Sequence, residues 1–179
     1  MPMTERATPQ ACRFADDGET PNNPALPLLV YRRVFDVAGA RDPALPFEEA
    51  FAAHGWGRSW RNGIYDFLHF HTRTHEVLGI ACGRARVQFG GARGSELDVE
   101  AGDVVVLPAG TGHRRVSASA DLLVVGAYPD NSSIDQKRPG QIDHARAVAA
   151  IAAVPLPCQD PVYGADGPLT TIWSQPMSG

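Results

Sequence analysis

The chain has few cysteines and no long apolar run. It contains three cysteines among 179 residues, and no two of them form a Cys-x-x-Cys pair. An odd number of scattered thiols argues against a disulfide framework and favours reduced cysteines in a cytoplasmic protein. No stretch of about 18 apolar residues is present, which excludes a transmembrane helix and a membrane partner. Residues 1–23 lack the apolar centre of a secretory signal, so we expect none there.

An excess of positive charge is also missing. The formal net charge is -4 at pH 7, and no helix-turn-helix pattern is found. We therefore expect no nucleic-acid partner. The length fits one domain with extensions. Helical periodicity and repeats of 20 to 50 residues are absent from 60–128, which excludes a βαβ unit, a solenoid and a propeller.

The central part of the chain contains short β-rich runs separated by turn signals such as Gly90-Gly91. Many short strands at regular spacing predict an all-β sandwich or barrel. The runs are, in order, Ile64–Phe70, Glu76–Ala81, Ala85–Phe89, Glu96–Val99, Val104–Leu107, His113–Val116 and Leu122–Tyr128.

Segments of different character flank this region. Residues 1–27 are polar and predict a flexible or loosely docked arm. A predicted strand, Leu28–Phe35, and a predicted helix, Pro46–Gly55, precede the β-rich runs. After them, 141–154 is predicted to be helical and Leu169–Trp173 to form a β-like run. The predicted domain organisation is an N-terminal arm (1–27), a β-barrel with its preceding strand and helix (28–128) and a C-terminal extension packing on the barrel (129–179).

Two histidines stand two positions apart in the first β-rich run. Side chains two apart on a strand share a face, so His69 and His71 are expected to point together with Tyr65 and Phe67. After a turn, Glu76 begins a strand that runs back beside the first. Its carboxylate is therefore expected near the two imidazoles.

A third histidine, His113, must come from a different strand pair. The turn 108–112 contains two glycines and positions it. Three imidazoles and one carboxylate are ligands for first-row transition metals. Each segment alone has an ordinary structural interpretation, but the two together, in order and in a β-rich region, predict a metal site.

The two segments resemble the sequence motifs of the cupin superfamily. Residues 63–83 fit Gly-(x)5-His-x-His-(x)4-Glu-(x)6-Gly at every fixed position, and 102–113 fit Gly-(x)5-Pro-x-Gly-(x)2-His. The second motif usually ends in Asn four residues after the His, where this chain has Ser117. The strings HFHTRTHEVLG, VVGAYP and PVYGADGPL resemble the YjlB-like branch of single-domain bacterial cupins.

This resemblance implies a fold and a ligand set. The implied fold is an all-β, cupin-type jelly-roll β-barrel with short flanking helices at both ends. The implied ligands of a metal inside the barrel are His69, His71, Glu76 and His113. The resemblance also implies a homodimer, and the open strand edges of a jelly roll favour such pairing.

His75 has two interpretations. Because it precedes Glu76, it faces away from the site on an extended strand and supports the ligands or lies at the surface. A bulge would instead bring it in to replace His69 as a ligand. Arg73, at the predicted turn, is a candidate contact for an anionic substrate. The candidate pocket residues are Tyr65, Phe67, Arg73, Leu78 and Tyr128.

The donor set also limits the chemistry. Three imidazoles and a carboxylate would leave two positions of an octahedral ion open for water, dioxygen or a chelating substrate. We expect one divalent Fe, Mn, Ni or Zn ion, and the sequence does not select among them. The expected function is a metal-dependent oxidoreductase of dioxygenase type acting on a small molecule. The alternatives are a cupin isomerase or decarboxylase, and a non-catalytic small-ligand-binding or sensor protein.

Overall fold

The structure is a computed structural model, and it describes residues 6–175. The first five residues of the predicted arm and the last four of the predicted extension lie outside this range. Within the range there are nine strands and three short helices. The strands are β1 (Gln10–Cys12), β2 (Leu28–Tyr31), β3 (Trp56–Asn62), β4 (Glu76–Cys82), β5 (Arg84–Phe89), β6 (Ser95–Glu100), β7 (Val104–Leu107), β8 (His113–Ala118) and β9 (Leu123–Pro129). The helices are α1 (Leu45–Ala53), α2 (His144–Ala152) and α3 (Pro168–Ile172).

The strands form two antiparallel sheets. A six-stranded sheet has the order β1-β2-β7-β4-β9-β3, and a three-stranded sheet has the order β6-β5-β8. Neighbouring strands are distant in the chain: Leu78 of β4 pairs with Val105 on one side and Gly126 on the other. Such crossovers are typical of a jelly roll. The predicted all-β, cupin-type jelly-roll fold with short flanking helices is therefore confirmed. In the described range, no helix is both long and apolar enough to cross a membrane.

Both faces of the six-stranded sheet are buried at its central strands β2, β7, β4 and β9. On the inner face, Leu78 and Ile80 of β4 join Val87 and Phe89 of the three-stranded sheet in one apolar cluster. On the outer face, Val77 packs in a second cluster with α1 and the C-terminal segment. Because successive strand residues alternate between faces, a strand covered on both sides carries no polar positions. This explains why β7 reads VVVL, with all four residues buried.

Helix α1 lies against β4 at a glycine. Phe47 and Phe51 are fully buried on the inner side of the helix. A Cβ atom on Gly79 would overlap the Phe47 ring. The missing side chain therefore lets the ring lie directly on the strand. The helix predicted at Pro46–Gly55 is observed with a slightly earlier start and end.

The N-terminal segment is attached more tightly than the composition predicted. The side-chain amide of Asn22, which is buried, donates a hydrogen bond to the Gly90 carbonyl at 2.9 Å. Its side-chain oxygen accepts from the Gly112 backbone N–H at 3.1 Å. One asparagine thus joins the segment to the residue that precedes His113. The prediction of a loosely docked arm is wrong for 6–27, because buried long-range hydrogen bonds hold it.

One predicted strand is not continuous, and two observed strands, β1 and β3, were not predicted. Ile64–Phe70 forms only isolated bridges, between His69 and His113 and between Phe70 and Lys137. Strand β3 precedes this segment and forms the edge of the six-stranded sheet. Its polar residues are largely exposed, so it lacks the apolar alternation by which strands are predicted.

The C-terminal extension ends in a helix where a β-like run was predicted. Leu169–Trp173 lies mostly in α3, which begins with a proline, a residue suited to the first helical turn. The buried carboxylate of Asp160 accepts a hydrogen bond from the Leu169 N–H at 3.1 Å and another from the Tyr31 hydroxyl of β2. These contacts fix the helix against the sheet, and they cannot be read from local sequence.

Candidate metal centre

The four predicted ligands come from three parts of the chain. His69 and His71 lie between β3 and β4, Glu76 is the first residue of β4, and His113 is the first residue of β8. Backbone hydrogen bonds of 3.2 and 3.0 Å join His69 and His113 in both directions. The Gly110 N–H donates to the His71 carbonyl at 2.7 Å, which ties the turn before β8 to the same segment.

The side chains of these residues converge. One ring nitrogen from each of His69, His71 and His113 lies within 4.8 Å of the others. Oε2 of Glu76 is 2.9 Å from Nε2 of His71, and Oε1 of Glu76 is 3.5 Å from Nε2 of His113. All four side chains are buried. The structure therefore brings the three histidines into one cluster, with the Glu76 carboxylate against His71 and His113.

The other ring nitrogen of each histidine faces a backbone carbonyl. A carbonyl only accepts hydrogen bonds, so in the neutral ring Nδ1 carries the hydrogen and Nε2 keeps a free lone pair. Carbonyl partners of this kind orient histidines that bind metals. The pairs are His69 Nδ1 with Phe67 O at 3.1 Å, His113 Nδ1 with Thr111 O at 3.0 Å, and His71 Nδ1 with Asp135 O.

Nε2 of His71 lacks a protein hydrogen-bond partner. It is buried, and although it lies 2.9 Å from Glu76 Oε2, the geometry is not that of an aligned hydrogen bond. Buried polar atoms are seldom left without a partner. Donor atoms that approach a common point without bonding one another are suited to sharing a cation. Three imidazole nitrogens and one carboxylate oxygen fit a divalent first-row metal.

The protonation states follow from burial and from the neighbouring charges. Burial, assisted by His113, lowers the pKa of His69 to about 3. Burial also opposes protonation of His71, but the Glu76 carboxylate outweighs it, so the pKa of His71 is raised. Burial raises the pKa of Glu76, whereas His71 and His113 lower it by more, and the net pKa is well below its usual range. Glu76 is therefore ionised and supplies a buried negative charge.

His75 faces the opposite side of β4 from Glu76. Its ring centroid is 4.9 Å from that of Trp173. Nδ1 accepts from the Ala109 N–H at 2.9 Å, and Nε2 donates to the Pro155 carbonyl at 3.2 Å. Because both ring nitrogens bond to the backbone, the bulged arrangement that would aim His75 at the site does not occur. His75 instead joins the turn before β8 to the C-terminal extension.

A cavity of about 260 Å³ opens onto the four residues. Three of the predicted pocket residues line it, namely Tyr65, Leu78 and Tyr128. Tyr65 is 50% exposed and lies at the mouth, whereas Leu78 and Tyr128 are buried. A larger open groove, about 1020 Å³, lies among charged side chains of β5 and β6, and none of the four candidate ligands lines it.

Two other predicted pocket residues, Phe67 and Arg73, do not line the cavity. The Phe67 ring stacks on Tyr65 with centroids 4.6 Å apart, and the Arg138 guanidinium lies 3.7 Å from the Phe67 centroid. Arg73 is exposed at a bend. Phe67 was predicted from a continuous strand, and the segment forms only isolated bridges; Arg73 was predicted from a turn near the site.

Several residues of the site were not predicted. Trp60 lines the cavity from β3, and Gln136 lines it from the loop after β9. The neighbouring Asp135 organises that loop, because its carboxylate accepts from the Thr72 N–H at 2.9 Å and its backbone carbonyl holds the His71 ring. No local pattern marks a polar loop after a strand as part of a site, so only the long-range contacts reveal it.

Comparison with known proteins gives one strong relative. No protein-family model matches the chain. The uncharacterized protein YjlB of Bacillus subtilis (strain 168) is 39% identical over 169 residues, which are 94% of this chain and 98% of that protein. Among solved structures, acireductone dioxygenase from Bacillus anthracis with a cadmium ion in its active centre has a TM-score of 0.39 and 15% identity, and the match covers 56% of this chain and 76% of that chain. A mutant of Bacillus subtilis oxalate decarboxylase OxdC has a TM-score of 0.38 and 19% identity, and the match covers 63% of this chain and 27% of that chain.

The likeness to YjlB extends over nearly the whole of both proteins, well beyond the two motifs. It agrees with the branch that the sequence strings indicated. The chain belongs to the YjlB family.

Proposed function

We propose that this protein binds one divalent transition metal through His69, His71, Glu76 and His113 and acts as an oxidoreductase of dioxygenase type on a small organic substrate. The convergence of one ring nitrogen from each of the three histidines carries the proposal, together with the backbone carbonyl that each Nδ1 faces. Zn prefers four ligands and would be nearly saturated by this set, so Fe, Mn or Ni suits it better.

The protein's own contribution is to orient the ligands and to enclose the substrate. A bound metal would supply Lewis acidity and, for iron or manganese, one-electron chemistry. The backbone carbonyls on Nδ1 hold the imidazole rings in place, and the buried Glu76 offsets positive charge. The cavity of about 260 Å³ limits the substrate to a small molecule that lies against Leu78 and Trp60.

The cavity wall favours a substrate that requires no protein cation. Arg61 lines the cavity, but its guanidinium is paired with Glu48 at 2.6 Å and with Asp42 at 3.0 Å. The wall also offers the neutral polar groups of Gln136 and Tyr128. The metal and neutral hydrogen bonds would therefore anchor the substrate, and its apolar part would pack on the cavity wall.

Oxygen consumption by the Fe(II)-loaded protein tests the activity. The substrate panel consists of catechols, thiols, keto acids and diketones, and we expect uptake with at least one compound, lost in His71→Ala. Binding without turnover would contradict the enzyme proposal and favour a carrier or sensor. Turnover without oxygen consumption would contradict the dioxygenase proposal and favour an isomerase or decarboxylase.

We also propose a homodimer in the cytoplasm. Strands β1 and β3 end the six-stranded sheet and leave edges to which a second copy can pair. Cys12, Cys82 and Cys158 are all free, which supports a reducing compartment. Analytical ultracentrifugation measures the assembly, and a monomer at micromolar concentration would contradict the dimer.

A further inference from the structure

Trp60 and Gly126 form a directly opposed cross-strand pair beside the candidate metal centre. They are partners in the register of β3 and β9. A Cβ atom on Gly126 would overlap the indole of Trp60. The glycine therefore provides the space in which the indole lies across β9, and any side chain at that position would displace it.

The indole is fixed at its polar end as well. Nε1 of Trp60 donates a hydrogen bond to the hydroxyl oxygen of Tyr128 at 2.9 Å. An indole nitrogen can only donate, so the Tyr128 oxygen acts as the acceptor, and its own hydrogen must point elsewhere. The Tyr128 side chain lies two residues beyond Gly126, on the same face of β9.

The Glu76 carboxylate and the cavity are the two places where that hydrogen can find an acceptor. Tyr128 is 7% exposed, and it lines the cavity together with Glu76 and the three histidines. Its ring meets that of His71 edge-on, with the centroids 6.0 Å apart. A phenol hydroxyl carries its hydrogen at neutral pH and can donate it. The hydroxyl is thus a neutral donor that faces the metal side of the cavity.

We propose that Tyr128 donates a hydrogen bond to the ligand that binds beside the metal, and that Trp60 and Gly126 are positioning residues that aim its hydroxyl. The inference rests on the proposed metal site and names the group that the ligand must carry: an oxygen or nitrogen atom that accepts a hydrogen bond next to its metal-binding atom. The hydrogen bond strengthens the binding of an anionic ligand most, because a hydrogen bond to a charged acceptor is stronger than one to a neutral acceptor.

The test uses the Co(II)-loaded protein, with azide as the probe ligand and visible absorption as the readout. We expect Tyr128→Phe to keep the cobalt content of the parent protein and to bind azide about tenfold more weakly, the effect of removing one hydrogen bond to a charged group. Trp60→Phe, which keeps an aromatic ring but removes the donor to Tyr128, should weaken azide binding by about threefold, within the range for one neutral hydrogen bond. Tyr163→Phe is the matched control, because Tyr163 lies in the C-terminal segment and does not line the cavity, and it should leave the azide affinity unchanged.

The results separate this inference from the proposed function. Failure of the parent protein to bind cobalt would overturn the metal site and this inference with it. Unchanged azide affinity in a cobalt-loaded Tyr128→Phe protein would overturn the inference alone. Loss of cobalt from Tyr128→Phe would also overturn it, because the hydroxyl would then support the metal ligands. If Tyr128→Phe does not fold, an unchanged azide affinity in Trp60→Phe decides against the inference.

Discussion

Nε2 of His71 lies 2.9 Å from Oε2 of Glu76, and both side chains are buried. The two groups make no aligned hydrogen bond. When His71 is protonated, the contact is an ion pair. When His71 is neutral, a lone pair faces a carboxylate, and this arrangement needs a cation. The predictions below follow from this contact and from the side chains that support it.

Replacing His71 with Ala should lower metal occupancy sharply, because it removes one of four donors. His75→Ala is the matched control, since His75 is a neighbouring buried histidine that faces the other side of β4. Metal analysis after loading with Mn(II) measures both variants. We expect His75→Ala to retain the occupancy of the parent protein when it is measured on the folded fraction. Loss of metal from His75→Ala and retention by His71→Ala would reverse the ligand assignment.

Metal affinity should fall as the pH is lowered. The pKa of His71 is raised, so near and below neutral pH a proton must leave the ring before the metal can bind. Calorimetric titration with Mn(II) in buffers of different ionisation enthalpy should show proton release on binding. Below the pKa of His71 the apparent Kd should rise up to about tenfold for each pH unit. An affinity that stays constant between pH 8 and pH 5 would contradict this protonation scheme.

The metal-free protein should lose stability in acid partly through His75. Burial lowers the pKa of His75 to about 4, whereas the unfolded chain has an ordinary histidine. Between these two pKa values the unfolded state binds more protons, so the free energy of unfolding falls as the pH falls. His75 alone changes the free energy of unfolding by up to about 1.4 kcal/mol per pH unit in this range.

Urea denaturation in the presence of a chelator, at pH 7 and at pH 5, measures this effect. His75→Gln should be less stable than the parent at pH 7, because the amide does not reproduce both hydrogen bonds. It should also lose less stability between the two pH values. An equal loss in both proteins would rule out His75 as a source of the acid sensitivity.

Asp135→Ala should weaken metal binding without removing a ligand. The Asp135 carboxylate accepts from the Thr72 and Arg73 backbone N–H groups at 2.9 and 3.0 Å, which positions the carbonyl that holds His71. Loss of such orienting contacts typically costs about ten- to a hundredfold in metal affinity. Asp130→Ala, at an exposed position in the same loop region, is the control. Equal affinities in the two variants would show that the loop does not orient His71.

Gly79→Ala should destabilise the fold without reaching the metal site. The added methyl group would overlap the buried Phe47 ring and force α1 away from β4. Overpacking of this kind costs about 1 to 3 kcal/mol. Gly63→Ala is the control, since a Cβ atom there would meet nothing within 4 Å. Thermal unfolding of both variants measures the difference, and equal melting temperatures would contradict the close packing.

The sequence predicted the parts of the site that depend on local spacing. His69, His71 and Glu76 lie within a short stretch, and His113 follows a turn rich in glycine. Their residue types and spacing were therefore enough to predict a metal site. The sequence did not reveal the cavity wall. Trp60 comes from an edge strand with exposed polar residues, and its role depends on Gly126, which is distant in the chain.

The flanking segments also depend on long-range contacts that the local sequence does not predict. The first residues of the chain have the composition of a loose arm, yet Asn22 is held by buried hydrogen bonds to loops that are distant in the sequence. The final run Leu169–Trp173 contains β-forming residues, yet a proline at its start and the Asp160 carboxylate make most of it helical. In both segments a buried polar contact outweighs local propensity.

Anomalous diffraction from crystals of the Mn(II)- or Fe(II)-loaded protein, recorded at the absorption edge of the metal, tests the central claim most directly. We predict one strong peak at bonding distance, about 2.0 to 2.3 Å, from Nε2 of His69, His71 and His113 and from a carboxylate oxygen of Glu76. No peak among these atoms, or a peak held by other side chains, would contradict the account.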